Sequence, residues 1–303
     1  IGEAEIVVGD ASTELGRLEE ESFQTVVTSP PYWRLRDYGV EGQIGLEESL
    51  DAYIERLVDV FRGVRRVLRG DGTLWLNIGD SYSSGGWGGG GNFAESRRPV
   101  AAVGWRSPPE GLGEKNLLGV PWRLAFSLEA VGWFLPSDLI CSTPNPIAGG
   151  VTDRPTHALE YLFLFGKRRR YYYDADAIRM QYAAKTLTHR GGGRMAGKEG
   201  HQDELGEVAS GKWAESGGAR QVDWRGANRR SVWDVAPQQS AAEHFATFPE
   251  KVVEPCILAG TSSVGACPCG APWTRVVEKD HVPDQPGRGA VREGKLESGH
   301  GQD

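Results

Sequence analysis

Thr25-Val26-Val27-Thr28-Ser29-Pro30-Pro31-Tyr32-Trp33 is the stretch whose reading decides the fold. Its β-branched opening reads as a short buried strand, and the two prolines end it abruptly. Each proline fixes φ and removes a backbone donor, and each holds the residue before it in an extended conformation. The turn therefore offers bare carbonyl oxygens, a hydroxyl ahead of them and aromatic rings behind. Such a pocket accepts hydrogen bonds and suits a planar ring that carries an exocyclic amine. Open α/β sheets present ligands just past the carboxyl end of a strand, where this turn would lie.

Working outward, Leu50, Tyr53, Ile54, Leu57, Val58, Phe61, Val64 and Leu68 fall on one face of an amphipathic helix. Gly70 and Gly72 stop it, and Thr73 to Ile78 reads as the next strand. Strand, helix and strand of these lengths predict a βαβ unit with a parallel, right-handed crossover. The pattern recurs, with a helix from Pro121 to Val131 and a strand from Trp133 to Ile140. Leu159 to Phe165 is a further apolar strand, and Glu5-Ile6-Val7-Val8-Gly9-Asp10 reads as a strand at the start. The expected fold class is α/β: a largely parallel sheet with helices on both faces.

Glycine numbers 42 of 303 residues, about twice its ordinary share. The excess lies in two insertions, residues 81–115 and 181–228. The second, polar and scattered with basic and aromatic residues, is the candidate for target recognition. The expected organisation is a catalytic portion over 1–180, a recognition insertion over 181–230, a return to the catalytic domain over 231–265, and a polar tail over 266–303.

The net charge of −7 excludes binding to nucleic acid by bulk charge alone, which leaves local basic patches. The clusters around Arg168-Arg169 and Arg225-Arg229 are the candidates. No run approaches the roughly 18 apolar residues of a membrane span, so no membrane partner is expected. Four cysteines, unevenly placed, do not make a disulfide framework and favour a reducing, cytoplasmic compartment. Cys141 and Cys256 read as core thiols. Cys267-Pro268-Cys269-Gly270 looks like half a zinc knuckle, but a structural zinc needs four ligands, so no metal is expected.

Thr-Ser-Pro-Pro-Tyr-Trp resembles the catalytic motif of the amino-methylating DNA methyltransferases, and the Ser-Pro-Pro-Tyr form is similar to their cytosine-N4 branch. The adenine-N6 branch more often begins the motif with Asp or Asn. Asp71 to Asp80 resembles the family's next strand, Arg154 to Tyr161 a later one, and His244 to Glu254 the helix beside the cofactor's methionine end. That order resembles the family's β arrangement and implies a Rossmann-like methyltransferase fold using S-adenosylmethionine. The family's Phe-x-Gly-x-Gly cofactor loop is not found after Ser262. The expectation is that a C-terminal segment or a complementing chain supplies it.

The resemblance implies site residues. Ser29, Pro30, Pro31 and Tyr32 would be catalytic, with Tyr32 stacking on a base flipped out of double-stranded DNA. Asp10, Thr28, Phe245, Phe248 and Pro249 would bind the cofactor. Trp33, Arg34, Arg168, Arg169, Arg225 and Arg229 would contact DNA. Methylation of adenine N6 uses the same pocket logic and stays open, as does a DNA-binding subunit without catalysis.

Overall fold

The computed structural model describes residues 4–83, 111–146, 152–181, 226–236, 248–267 and 270–274. Ile1–Trp273 form one compact unit; Thr274–Asp303 form a second, which beyond Thr274 lies outside the described residues. The main unit begins with helix α1 (Ala11–Arg17), strand β1 (Phe23–Thr28), helix α2 (Leu50–Val67) and strand β2 (Leu68–Ile78). Helix α3 (Val120–Ala130), strands β3 (Phe134–Ser142), β4 (Leu159–Gly166) and β5 (Val232–Asp234), and helix α4 (Glu250–Gly260) follow.

The amphipathic reading of α2 holds in detail. All eight of its named apolar positions, with Leu68 just past the helix end, are buried. Ser49 caps the helix, its side chain accepting from the Ala52 amide. α2 and α3 cover one face of the sheet over Leu74, Leu76, Ile78, Phe163 and Phe165. α4 covers the other face over Trp75, Leu162 and Leu164. Alternate residues of β2 and β4 thus feed opposite cores, as the period of two requires.

The strand order is β1-β2-β4-β3-β5. β1 pairs with β2 in parallel, as the βαβ reading expects, and β3 pairs with β5 in parallel. β4, however, runs antiparallel to both of its neighbours. The sheet is therefore mixed rather than largely parallel. The physical reason is the link from β3 to β4, residues 143–158, whose described part contains no crossover helix. Without one, the chain turns straight back.

The expected opening strand is not formed. Residues 4–8 pair with no strand among the described residues, and Ile6, Val7 and Val8 stand exposed. Asp10 ends this segment as the N-cap of α1, its Oδ1 accepting from the Thr13 amide at 3.0 Å.

Candidate active site

β1 and β2 run in parallel with Thr28 beside Leu76, so the turn after Thr28 emerges next to the end of β2. β4 starts at the same edge, because Tyr161 pairs with Ile78. Three strand ends thus converge on Ser29-Pro30-Pro31-Tyr32.

The turn is held from both sides. The Tyr53 hydroxyl, projecting from α2, donates to the Pro31 carbonyl at 2.8 Å. Leu35 donates its amide to the Tyr32 carbonyl at 3.2 Å. Among the described residues, the Pro30 carbonyl accepts no hydrogen bond. That leaves one bare carbonyl beside the Ser29 hydroxyl, where the sequence reading expected more than one, because Tyr53 takes the Pro31 carbonyl.

Tyr32 sits deeper than a stacking platform would. Its ring packs against the core of the α2 side and lies on Gly79. Ser29, the Glu160 carboxylate and the Gly79 backbone face its hydroxyl. Asn77 Oδ1 lies 3.5 Å away, at the outer limit of a hydrogen bond. Burial, and then the charge on Glu160, push the phenol far above its ordinary pKa, so it stays a donor. The Asn77 amide meanwhile donates to the Tyr161 carbonyl at 3.2 Å, joining β2 to β4 at the site.

Asp80 lies just past β2. Its carboxylate accepts from the amides of Ser81, Gly119 and Val120, at 2.9, 3.1 and 3.1 Å. It thereby satisfies the N-terminus of α3, which has no side-chain cap of its own. Burial raises its pKa in spite of these three donors and the nearby His157.

The other sequence-expected residues are placed less favourably. Trp33 is buried, donating its indole N–H to the Glu47 carbonyl at 3.0 Å and stacking on Tyr53. It is a core residue and not a DNA contact. Arg34 has a positive φ of 52°, donates to the Glu48 carbonyl and lies over the Trp33 ring. Arg168 and Arg169 follow β4 after Gly166, which pairs with Thr73. That register puts them at the opposite end of the sheet, where the Arg168 guanidinium rests against Gly70. They are not brought together with the catalytic turn.

Arg229 lies over the Trp233 ring at 4.3 Å and lines a cavity of about 180 Å³ with Trp75, Tyr171 and Tyr173. Arg225 and Phe245 lie outside the described residues. Phe248 packs on the core of the α4 side and Pro249 caps α4. Cys141 and Cys256 are buried thiols, as expected, and Cys267 is disulfide-bonded. No group able to hold a metal occurs among the described residues, and none of their helices is long and apolar enough to cross a membrane.

Sequence reasoning missed Asn77 and Glu160 as site residues. The available signal was a polar residue interrupting or heading an apolar strand, in Leu76-Asn77-Ile78 and in Glu160-Tyr161-Leu162-Phe163. A buried polar group needs a partner, and Asn77 finds its partners in the Tyr161 carbonyl and the Tyr32 hydroxyl.

The N6/N4 methyltransferase family model, described as DNA methylase, matches residues 23–266. Curated relatives include the type II methyltransferases M.Cfr9I of Citrobacter freundii and M.SmaI of Serratia marcescens. The first is 42% identical over 259 residues, which is 85% of this chain and 73% of the relative. The second is 42% identical over 263 residues, 86% of this chain and 76% of the relative. Among solved structures, the cytosine-N4-specific PvuII DNA methyltransferase aligns with a TM-score of 0.49 at 14% identity, covering 84% of this chain and 69% of that one. The chain belongs to the N6/N4 family of DNA methylases. Its substrate is DNA and its cofactor is S-adenosylmethionine.

The donor set fits part of that cofactor. Asp10 offers an acceptor for an amine, and Phe248 with Pro249 offers an apolar wall at the start of α4. No Phe-x-Gly-x-Gly loop occurs among the described residues.

Proposed function

We propose that this protein methylates the N4 amine of cytosine at a specific duplex DNA site, as the modifying half of a restriction-modification system. The observation that carries the reading is the Ser29–Pro30 acceptor pair: a serine hydroxyl beside a proline carbonyl with no other partner among the described residues. The lone pair of an aromatic amine is delocalised into its ring. Two acceptors that take its hydrogens make the nitrogen more tetrahedral and more nucleophilic, and the fixed dipoles of the turn stabilise the charge that develops there. The cofactor supplies an activated methyl group, so what remains for the protein is chiefly alignment.

Serine at the head of the motif favours cytosine over adenine. The names of the relatives, type II methyltransferases, support a partner restriction enzyme. The amine of a paired cytosine is inaccessible, so the base must leave the stack. Asp10, Thr28, Phe248 and Pro249 would hold the cofactor, with Phe245 alongside. The insertion over 181–230, which carries Arg225 and Arg229, would read the site, with Arg34 at the rim of the turn.

Nucleoside mass spectrometry on unmethylated DNA incubated with the protein and S-adenosylmethionine tests the reading. N4-methylcytosine is the expected product, and N6-methyladenine would overturn the target base. Deleting residues 182–225 should abolish site selectivity; retained selectivity would sink the recognition role of the insertion.

A further inference from the structure

Just past β2, on the edge where the proline turn emerges, an aromatic ring lies under a cation. The Arg154 guanidinium sits over the Tyr82 ring at 4.0 Å, a distance at which the two attract. Tyr82 is three residues beyond Gly79, so their Cα atoms are at most about 11 Å apart. Gly79 itself lies against the Tyr32 ring. Arg154 arrives on the link to β4, whose Tyr161 pairs with Ile78 of β2. Sheet register thus brings both residues to the rim of the turn.

The ring is a fixed platform. Tyr82 bridges to Leu117. Before it, Asp80 accepts from the Gly119 and Val120 amides. After it, Ser83 Oγ accepts from the Asn116 amide and donates to the Gly113 carbonyl. Pro155 biases the backbone of Arg154 toward an extended form.

The cation above the ring is only partly engaged. Its side chain is 18% exposed, and a charge held that far from water needs partners. A guanidinium has five N–H donors in a rigid fork. One of them reaches Asp153 Oδ1 at 3.2 Å. Asp153 is shared, since Lys115 holds its other oxygen at 2.9 Å. The remaining Arg154 donors meet no acceptor among the described residues, and none of those nitrogens is sealed from solvent. With two cations to one carboxylate, the cluster stays net positive.

We infer that Arg154 binds a backbone phosphate of the target strand, with Tyr82 as the platform that holds its fork flat. This rests on DNA as the substrate and not on which base is methylated. A planar fork with open donors matches two phosphate oxygens at once, and phosphate is the anion that DNA presents all along its length. A base drawn out of the stack toward Ser29 and Pro30 carries its flanking phosphates to the rim of the turn. Phosphate contacts fix register without reading sequence. The contact is therefore separate from site recognition by the 181–230 insertion. Other arginines expected at the DNA are placed differently: Arg168 rests on Gly70 at the opposite end of the sheet, and Arg34 donates to the Glu48 carbonyl.

The test measures the DNA affinity of the full chain against salt concentration for wild type, Arg154→Ala, Arg154→Lys and Tyr82→Leu. Arg154→Ala should bind about 10- to 100-fold more weakly, by the same factor on cognate and unrelated duplexes. Its plot of log affinity against log salt should be shallower by about one. Arg154→Lys should restore that slope but not the affinity, because an ammonium is a point charge rather than a fork. Tyr82→Leu should keep the slope and lose about threefold in affinity. Single methylphosphonates are then placed at each phosphate around the target nucleotide, in a duplex carrying the methylated site. At one position wild type should lose what Arg154→Ala loses, and the variant should lose nothing more. An unchanged salt slope in Arg154→Ala, or no position where the two losses coincide, would overturn the inference. Should Arg154→Ala fail to fold, Arg154→Lys decides in the same scan: one neutralised phosphate must cost it less than it costs wild type. Affinity is read without methyl transfer, so an error in the proposed target base would show in the product and not here.

Discussion

The Tyr32 ring and the Gly79 backbone are in direct contact: a β-carbon at position 79 would lie 2.8 Å from Tyr32 Cε2. Gly79 follows β2 immediately. The close approach fixes the ring, and with it the turn that carries it. Gly79→Ala must therefore push Tyr32 off its position. The expected outcome is a loss of at least tenfold in the methylation rate with a stability loss of about 1–3 kcal/mol. Radiolabelled methyl incorporation and urea unfolding measure the two. An unchanged rate would mean that the position of Tyr32 does not matter to the chemistry.

Tyr53 ties α2 to the same turn by donating to the Pro31 carbonyl at 2.8 Å, and it is fully buried. Burial pushes its phenol well above the ordinary pKa, so it stays a donor at any working pH. Tyr53→Phe removes the donor and keeps the ring. A buried carbonyl left without its partner costs about 1–3 kcal/mol, so chemical denaturation should show a drop of that size. The turn also gains freedom, and kcat should fall while the affinity for DNA holds. Full stability in the variant would argue that water replaces the hydroxyl.

Much of this arrangement was legible in the sequence, for identifiable reasons. α2 announces itself because its apolar residues keep to one face and the core takes all of them. The proline turn after β1 is legible because two prolines admit few conformations. The direction of β4 was not legible: an apolar strand buried on both faces reads the same in either direction, and only the link from β3 settles it. Ile6-Val7-Val8 reads as a strand by composition, yet a strand needs a partner, and no described segment supplies one. Trp33 misled by its place beside the motif, since position in sequence does not reveal that its indole turns inward to Glu47. Asn77 was missed because its meaning arises only when β4 folds back beside β2 and its amide meets the Tyr161 carbonyl.

Asp80 makes a prediction with a definite sign. Its folded-state pKa lies above the ordinary value of 3.8, chiefly through burial. The folded protein therefore holds this proton more tightly than the unfolded chain, and stability falls as pH rises through the raised value. Ionised Asp80 costs stability at neutral pH, and acidification toward the unfolded value relieves the cost. Asp80→Asn keeps a carbonyl acceptor for the α3 amides and removes the titration. Wild type should gain stability relative to Asp80→Asn as the pH is lowered from neutral, read by urea unfolding at several pH values. A gap between the two that does not change with pH would show that the cap, not the charge, governs this site.

Gly260 ends α4 where the helix crosses β1 and β2. A β-carbon there would sit 2.6 Å from Thr25 Oγ1 and 3.0 Å from Thr73 Oγ1. Those two hydroxyls bond to each other at 3.0 Å across the parallel pair, so neither is free to swing away without losing its partner. Cys256 and Ala259, on the same helix, are completely buried against the sheet, so the helix cannot lift away without uncovering apolar surface. Gly260→Ala should consequently destabilise the protein by about 1–3 kcal/mol, despite the better helix propensity of alanine. Thr25→Ala removes the hydroxyl that makes the shortest contact and should recover part of that loss. Thermal unfolding of the single and double variants measures the coupling. Strictly additive effects would show that the contact relaxes elsewhere and that the threonine pair does not set the helix-to-sheet distance.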